Sequence, residues 1–127
     1  MSGFLAVFGG AGCGALLRWW LGSWLNPVFP TLPLGTLAAN LVGGLLVGVA
    51  SAFFTHNAGL PPEWRLLITT GFLGGLTTFS TFSAEVVTLI SRQQHWWALG
   101  TASVHLFGSL ILTGIGILIA NALFVRV

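Results

Sequence analysis

Four long apolar stretches run along the chain, separated by short segments that contain proline, glycine or polar residues. A helix needs about 20 mostly apolar residues to cross a lipid bilayer, and each stretch is long enough. Strands of a membrane barrel would alternate between polar and apolar side chains over roughly 10 positions, and these stretches do not alternate. The pattern predicts one domain over residues 1–127 with four transmembrane helices, at residues 3–24, 34–55, 66–90 and 96–125.

The composition points to the same class of protein. Hydrophobic residues make up 55% of the chain and charged residues only 5%, whereas a soluble domain carries roughly 25% charged residues. The chain has no lysine and its arginines are scattered, which excludes the clustered basic face of a nucleic-acid-binding protein. Cys13 is the only cysteine, so no intrachain disulfide can form. We therefore expect an all-α integral membrane protein.

The arginines leave the orientation in the membrane open. With four spans, both termini and the second connection share one side, which then holds Arg65 and Arg126. The other side holds Arg92, and also Arg18 if its side chain extends to the interface. Since positive charges in short flanks set orientation, this balance permits a weakly biased single orientation, or insertion both ways with pairing of opposite copies.

The third stretch is interrupted by glycine, threonine and serine. Glycine is a poor helix former and threonine is stiff, so the helix either breaks near residues 74–78 or is only kinked there. Carbonyl groups freed by such a break can bind Na⁺. Phe79 and Phe82 are three residues apart and share a helix face. They either pack against lipid and core or turn the positive edges of their rings toward an anion.

Asn40 lies in the middle of the second stretch, and His105, Ser109 and Thr113 fall on one face of the fourth. One interpretation is structural, because an amide can bond between helices and hydroxyl groups can bond the preceding turn. The other is that these groups line a polar pathway.

Arg18 and Glu85 are the charged groups within the predicted spans. Arg18 either extends to the interface or raises the local concentration of anions at a vestibule. Glu85 either partners a buried donor or belongs to the same pathway, because charged groups at membrane depth face the interior of a bundle or a water path.

Three motifs, at residues 9–19, 35–43 and 71–82, resemble those of the Fluc (CrcB) family of fluoride channels, and the resemblance covers the whole chain. Its most specific part is the run Thr77-Thr78-Phe79-Ser80-Thr81-Phe82. The resemblance implies an antiparallel, dual-topology homodimer in the lipid bilayer of a bacterial inner membrane. Such a dimer has two pores that pass fluoride down its gradient and protect the cell from fluoride, and it is not an enzyme.

The resemblance also implies roles for individual residues. It implies that Phe79 and Phe82 line the pore with their ring edges, that Asn40 donates to the ion and that Arg18 lies at a vestibule. It further implies a structural Na⁺ held by the carbonyl groups of Gly74 and Thr77 from both copies. The expected ion pathway comprises Arg18, Asn40, Thr78, Phe79, Ser80, Phe82, Glu85, His105, Ser109 and Thr113.

His105 departs from the family, because many relatives resemble this span but carry tyrosine at that position. The departure puts the pore-lining role of this position in doubt, and a histidine there could add a sensitivity to pH near 6.5.

Two other functions remain open. A small, dual-topology, proton-coupled multidrug exporter would need an acidic residue in its first span, but residues 3–24 contain Arg18 and no acid. A non-transporting assembly subunit would use its glycines only for packing. An enzyme is not expected, because no nucleophile, base and orienting group come together in the sequence.

Overall fold

The computed structural model describes residues 2–124, which form helices and no strand. Four helical segments are long and apolar enough to cross a membrane: Ser2–Val28, Leu34–His56, Pro62–Ser91 and His95–Phe124. The prediction of four spans in an all-helical protein is confirmed. Val125, at the predicted end of the fourth span, and Arg126, used in the charge balance, lie outside the described residues.

Within these spans the helices are α1 (Ser2–Leu25), α2 (Leu34–His56), α3 (Pro62–Arg65), α4 (Gly74–Leu76), α5 (Phe79–Ser91) and α6 (His95–Phe124). A 3₁₀ turn at Asn26–Val28 follows α1, and a π-helix at Leu66–Leu73 joins α3 to α4. The π-helix is a finding that the sequence did not predict. Such segments are rare and often accompany functional sites.

The third span is broken at Thr77 and Thr78. Thr77 has ψ 153° and Thr78 has φ −148° and ψ 115°, so both are extended between α4 and α5. The break predicted for residues 74–78 is therefore confirmed, but residues 74–76 still form a helical turn. The span begins at Pro62 rather than at residue 66, because proline suits the first turn of a helix, where its missing N–H is not needed.

Glycines allow the helix backbones to approach closely. A Cβ atom added to Gly10 of α1 would lie 2.8 Å from the backbone nitrogen of Phe72 and 3.1 Å from the Cα atom of Gly71. A Cβ atom on Gly44 of α2 would lie 3.1 Å from the carbonyl oxygen of Ser109 in α6. Small residues at such contacts are how helices pack in lipid. The broken span is thereby held against α1, and α2 against α6.

The start of α2 is fixed from the preceding connection. The backbone N–H groups of Gly35 and Thr36 both donate to Oδ1 of Asn26, at 2.7 and 3.1 Å. This amide oxygen satisfies two of the free N–H groups of the first helical turn. The Asn26 side chain thus fixes the N-terminal end of α2, one turn before Asn40.

Candidate functional site

Asn40 of α2 lies beside the break and bonds to its backbone. The N–H group of Thr78 donates to Oδ1 of Asn40 at 2.8 Å, and Nδ2 of Asn40 donates to the carbonyl oxygen of Thr78 at 3.0 Å. Freed backbone groups at membrane depth are tolerated only where protein or water satisfies them. One side-chain amide therefore satisfies both polar groups of Thr78.

The side chain of Thr78 starts the next helix. Its hydroxyl oxygen accepts from the N–H group of Thr81 at 3.1 Å and donates to the Thr81 hydroxyl at 3.0 Å. The Ser80 hydroxyl lies 3.3 Å from the same oxygen. Threonine in an extended conformation just before a helix is a favoured cap. The cap fixes where α5 begins and with it the positions of Phe79 and Phe82.

The break diverts two N–H groups from their regular helical acceptors. In a continuous helix the carbonyl of Gly74 would accept from Thr78 and that of Thr77 would accept from Thr81. Those N–H groups donate instead to the side chains of Asn40 and Thr78. The carbonyl oxygens of Gly74 and Thr77 are therefore left without their regular helical donors, which makes them suitable ligands for a hard cation.

A cavity of about 360 Å³ opens beside the break. We call it the phenylalanine cavity. The rings of Phe79 and Phe82 are 5.6 Å apart and meet edge to face at 66°. Phe79 is 77% exposed in the single chain. The predicted residues that line this cavity are Asn40, Thr77, Thr78, Phe79, Phe82, His105 and Ser109.

His105 of α6 is buried against Phe82 and Asn40, with only 3% of its surface exposed. Its ring centroid lies 4.7 Å from that of Phe82, and its Nδ1 lies 3.1 Å from Nδ2 of Asn40. Nε2 of His105 is buried and has no hydrogen-bond partner among residues 2–124. The imidazole thus has one satisfied and one unsatisfied nitrogen in the wall of the cavity.

Two further cavities continue from the break toward the Arg92 end of α5. The first, of about 320 Å³, contains Arg18 and shares Thr78 with the phenylalanine cavity. The second, of about 390 Å³, contains Arg92 and shares Thr81 with the first. We call them the Arg18 cavity and the Arg92 cavity. The three cavities therefore lie side by side, with Thr78 and Thr81 in the walls between them.

Arg18 lines the Arg18 cavity and Glu85 lines the Arg92 cavity, and each bonds to a residue of a neighbouring helix. Nε of Arg18 donates to the carbonyl oxygen of Gly75 at 3.1 Å, which holds the guanidinium close to the break. The Thr36 hydroxyl donates to Oε2 of Glu85 at 2.6 Å. Oε1 of Glu85 is buried without a partner in the described part of the chain.

Three predicted residues, Thr113, Ser80 and Gly74, line none of the three cavities. The Thr113 hydroxyl donates to the carbonyl oxygen of Gly44 at 2.8 Å and so joins α6 to α2. Ser80 is exposed and lies near the Thr78 hydroxyl. Gly74 is exposed one turn before the break.

Two residues that the sequence did not single out contribute to the site. Thr36 bonds Glu85 and lines the Arg18 cavity. Thr81 lines both the Arg18 cavity and the Arg92 cavity. Helical spacing was an available signal for both, because Thr36 lies one turn before Asn40 and Thr81 one turn before Glu85.

Comparison with known proteins identifies the family. Residues 5–117 match the family model described as CrcB-like protein, Camphor Resistance (CrcB). A Burkholderia ambifaria protein is 57% identical over 120 residues, 94% of both chains. One from Nitrosospira multiformis is 62% identical over 113 residues, 89% of this chain and 88% of the relative. Both relatives bear the name fluoride-specific ion channel FluC.

These relatives are bacterial and are named as channels rather than as enzymes, which confirms the expectation that the chain is not an enzyme. Together with the four membrane-spanning helices, the matches make the chain a multi-pass membrane protein. Since the family model covers most of its length, the chain belongs to the CrcB family.

Proposed function

We propose that the chain is a fluoride channel of the bacterial inner membrane that lets fluoride leave the cell passively and so protects it from fluoride. The observation that carries the proposal is the juxtaposition of the Asn40-bonded break with the edge-to-face pair Phe79 and Phe82. The names of the relatives support the choice of fluoride as the ion.

The phenylalanine cavity suits a small, strongly hydrated anion. Such an ion must exchange its water for hydrogen-bond donors and for the positive edges of aromatic rings. Ser109 supplies a hydroxyl donor, Thr78 lines the cavity beside it, and Phe79 and Phe82 supply ring edges. Among residues 2–124 no arginine lines this cavity, so none of them would place a full positive charge there that holds the ion too tightly to leave.

The rest of the proposed ion pathway follows the three neighbouring cavities. Arg18, fixed to the Gly75 carbonyl, raises the local anion concentration at the break. Ser80, beside the Thr78 hydroxyl, and Thr113, bonded to the Gly44 carbonyl, lie next to residues that line the phenylalanine cavity. Glu85, bonded to Thr36, lines the Arg92 cavity.

The functional unit in this proposal is an antiparallel homodimer with two pores. The small difference in arginine number between the two sides permits insertion in both orientations. The 77% exposure of Phe79 in the single chain is also consistent with a second copy, because a ring that lines a pore needs an opposite wall.

A structural Na⁺ at the dimer centre completes the proposal. The carbonyl oxygens of Gly74 and Thr77 fit this role, since the N–H groups that would have bonded them donate elsewhere. Oxygen ligands suit a hard cation, and Gly74 is exposed in the single chain. When bound, Na⁺ supplies a positive charge near the pores and joins the two broken helices.

The test is fluoride efflux from liposomes that contain only the purified protein, with chloride efflux as the control. We expect fluoride efflux without comparable chloride efflux. Phe79→Ile and Phe82→Ile should each abolish fluoride efflux while cross-linking still detects the dimer. Absence of efflux from the unchanged protein would favour the non-transporting subunit, and proton-coupled movement of an organic cation would favour the exporter.

A further inference from the structure

A fourth cavity, of about 260 Å³, shares no residue with the three cavities beside the break. We call it the apolar cavity, because every residue that lines it is apolar, and these residues come from α2, the π-helix and α6. Leu46 and Phe124, which line it, are both exposed in the single chain, so the cavity opens on the outside of the helices. Since these helices cross the membrane, the opening faces lipid acyl chains or a second copy of the chain.

One wall of the apolar cavity is the π-helix. Ile68, Phe72 and Leu73 line the cavity, and they share a side of the helix because the bonds of a π-helix run over five residues. Another side packs closely on α1, where a Cβ atom added to Gly71 would lie 3.0 Å from the Cα atom of Gly10. The atoms that border an empty space lack contact partners. A ligand in the cavity would therefore support the π-helix opposite α1.

The apolar cavity extends from the surface of the membrane toward its centre. Phe54 lines it near the end of α2, and Leu46 lines it eight residues earlier, which is about 12 Å along a helix. The guanidinium of Arg65 lies over the ring of Phe54, 5.6 Å from its centroid. Trp64 beside it is exposed, as is typical of the aromatic belt at the level of the headgroups. A lipid whose acyl chain reaches into the cavity would thus have its headgroup close to Arg65.

The guanidinium of Arg65 is available to such a headgroup. Arg65 is exposed, and a cation that lies over a ring keeps its N–H donors for other partners. The nearest acid in the sequence is Glu63, which accepts from the Ser2 hydroxyl at 3.2 Å. Residues two apart on a helix do not face each other, so Glu63 does not compete for the guanidinium.

We propose that the apolar cavity and Arg65 form a binding site for an anionic phospholipid, with an acyl chain in the cavity and the headgroup phosphate on the guanidinium. Arginine binds phosphate through two parallel, charge-assisted hydrogen bonds. The acyl chain does not distinguish one phospholipid from another, but a zwitterionic headgroup carries an ammonium that offsets the charge of its phosphate. The site therefore prefers phosphatidylglycerol to phosphatidylcholine.

This inference does not depend on the proposed function. Neither Arg65 nor any residue of the apolar cavity lines the three cavities of the proposed pathway. We therefore expect the lipid to act on the stability of the protein and not on fluoride efflux.

Native mass spectrometry of the full-length protein with phosphatidylglycerol or phosphatidylcholine of identical acyl chains tests the preference. We expect phosphatidylglycerol to bind at least about tenfold more tightly, because a hydrogen bond to a charged group is worth that much in affinity. Arg65→Gln should remove this difference. Arg92→Gln is the matched control and should keep it, because Arg92 is also exposed at the end of a span but lines the Arg92 cavity. Equal binding of the two lipids, or a preference that survives Arg65→Gln, would overturn the proposal.

A phosphatidylglycerol with a photoreactive group in its acyl chain locates the bound lipid. We expect it to label peptides that contain residues 46–54 or 66–73. Leu46→Trp, which enlarges a side chain at the opening, should abolish this labelling. Leu118→Trp should preserve it, because Leu118 is exposed on α6 but does not line the apolar cavity.

The other occupant of the opening gives a different result. If a second copy fills the apolar cavity, the unchanged protein will not be labelled there and Leu46→Trp will weaken the dimer, which overturns the proposal. Labelling that Leu46→Trp leaves unchanged also overturns it. Should Leu46→Trp not fold, the lipid preference of Arg65→Gln still decides, since that exposed side chain is not part of the core.

Discussion

The side chain of Asn40 and the backbone of Thr78 form two hydrogen bonds, of 2.8 and 3.0 Å, across the interface of α2 and the broken third span. The bond from the Thr78 N–H takes the place of the helical bond that a continuous span would make to the Gly74 carbonyl. The break is thus an ordered feature with satisfied polar groups, and it can support a site at membrane depth.

Replacing Asn40 with alanine should destabilise the protein by about 1–3 kcal/mol, the cost of a buried polar group left without a partner. The N–H group of Thr78 would lose its partner, and the Thr78 carbonyl would keep only the first helical bond of α5. The measurement is the free energy of unfolding in detergent. Asn57→Ala is the control, because the Asn57 amide bonds only the Phe53 carbonyl at the exposed end of α2. Equal stability of the two variants would mean that the break does not depend on Asn40.

Gly10 and Gly9 are adjacent in α1 and should respond in opposite ways to alanine. A Cβ atom on Gly10 would lie 2.8 Å from the backbone nitrogen of Phe72, whereas one on Gly9 would meet nothing within 4 Å. Gly10→Ala should cost about 1–3 kcal/mol because the backbones must separate. Gly9→Ala should leave stability unchanged or raise it slightly, since alanine is the better helix former. Thermal unfolding in detergent measures both, and equal melting temperatures would contradict the close packing of α1 on the π-helix.

The sequence predicted the spans well because hydropathy alone determines which segments can cross a bilayer. It also indicated residues 74–78 as the place of a break or a kink, since glycines followed by threonines weaken a helix locally, but it did not decide between the two. It did not predict the π-helix at Leu66–Leu73, because no local pattern in that apolar run distinguishes it from an α-helix. The bond between Thr36 and Glu85 was missed for a different reason: it joins residues that are distant in the chain, and only the packing of the spans brings them together.

Asn40 illustrates the same limit within the site. From the sequence, its amide could bond another helix or donate to an anion. In the structure one of its N–H groups bonds Thr78 and the other faces His105. A residue type and a depth in the membrane do not specify which partners an amide finds, because those depend on the break in another span.

Arg18 should act on fluoride efflux through its charge. Its Nε bonds the Gly75 carbonyl, so the guanidinium is held beside the break. Arg18→Gln should lower efflux about tenfold at low ionic strength, because a charge that concentrates anions is lost. The deficit should shrink when an impermeant salt is added, since salt shortens the range of the charge.

Arg65→Gln is the control for this charge effect. Arg65 lies over the ring of Phe54, 5.6 Å from its centroid, and lines none of the three cavities. Its loss should leave efflux unchanged at every salt concentration. If Arg18→Gln has a deficit that salt does not reduce, Arg18 acts by its bond to the break and not by attracting anions.

The hydroxyl of Thr36 is the described partner of the Glu85 carboxylate, which it bonds at 2.6 Å. Thr36→Val keeps the shape of the side chain and removes this donor. Because Oε1 has no partner in the described residues, the carboxylate would then have none among them. We expect a loss of about 1.5–3 kcal/mol in unfolding free energy, the usual value for a hydrogen bond to a charged group.

Two further variants separate this bond from a general effect of threonine loss. Thr36→Ser retains the hydroxyl and should keep most of the stability. Thr88→Val removes an exposed hydroxyl in the wall of the Arg92 cavity and should have little effect, because water can replace it as a partner. If Thr36→Val and Thr88→Val unfold alike, Glu85 does not depend on Thr36. The acid would then need another donor in the assembled protein, and a second copy of the chain or water in the Arg92 cavity would have to provide it.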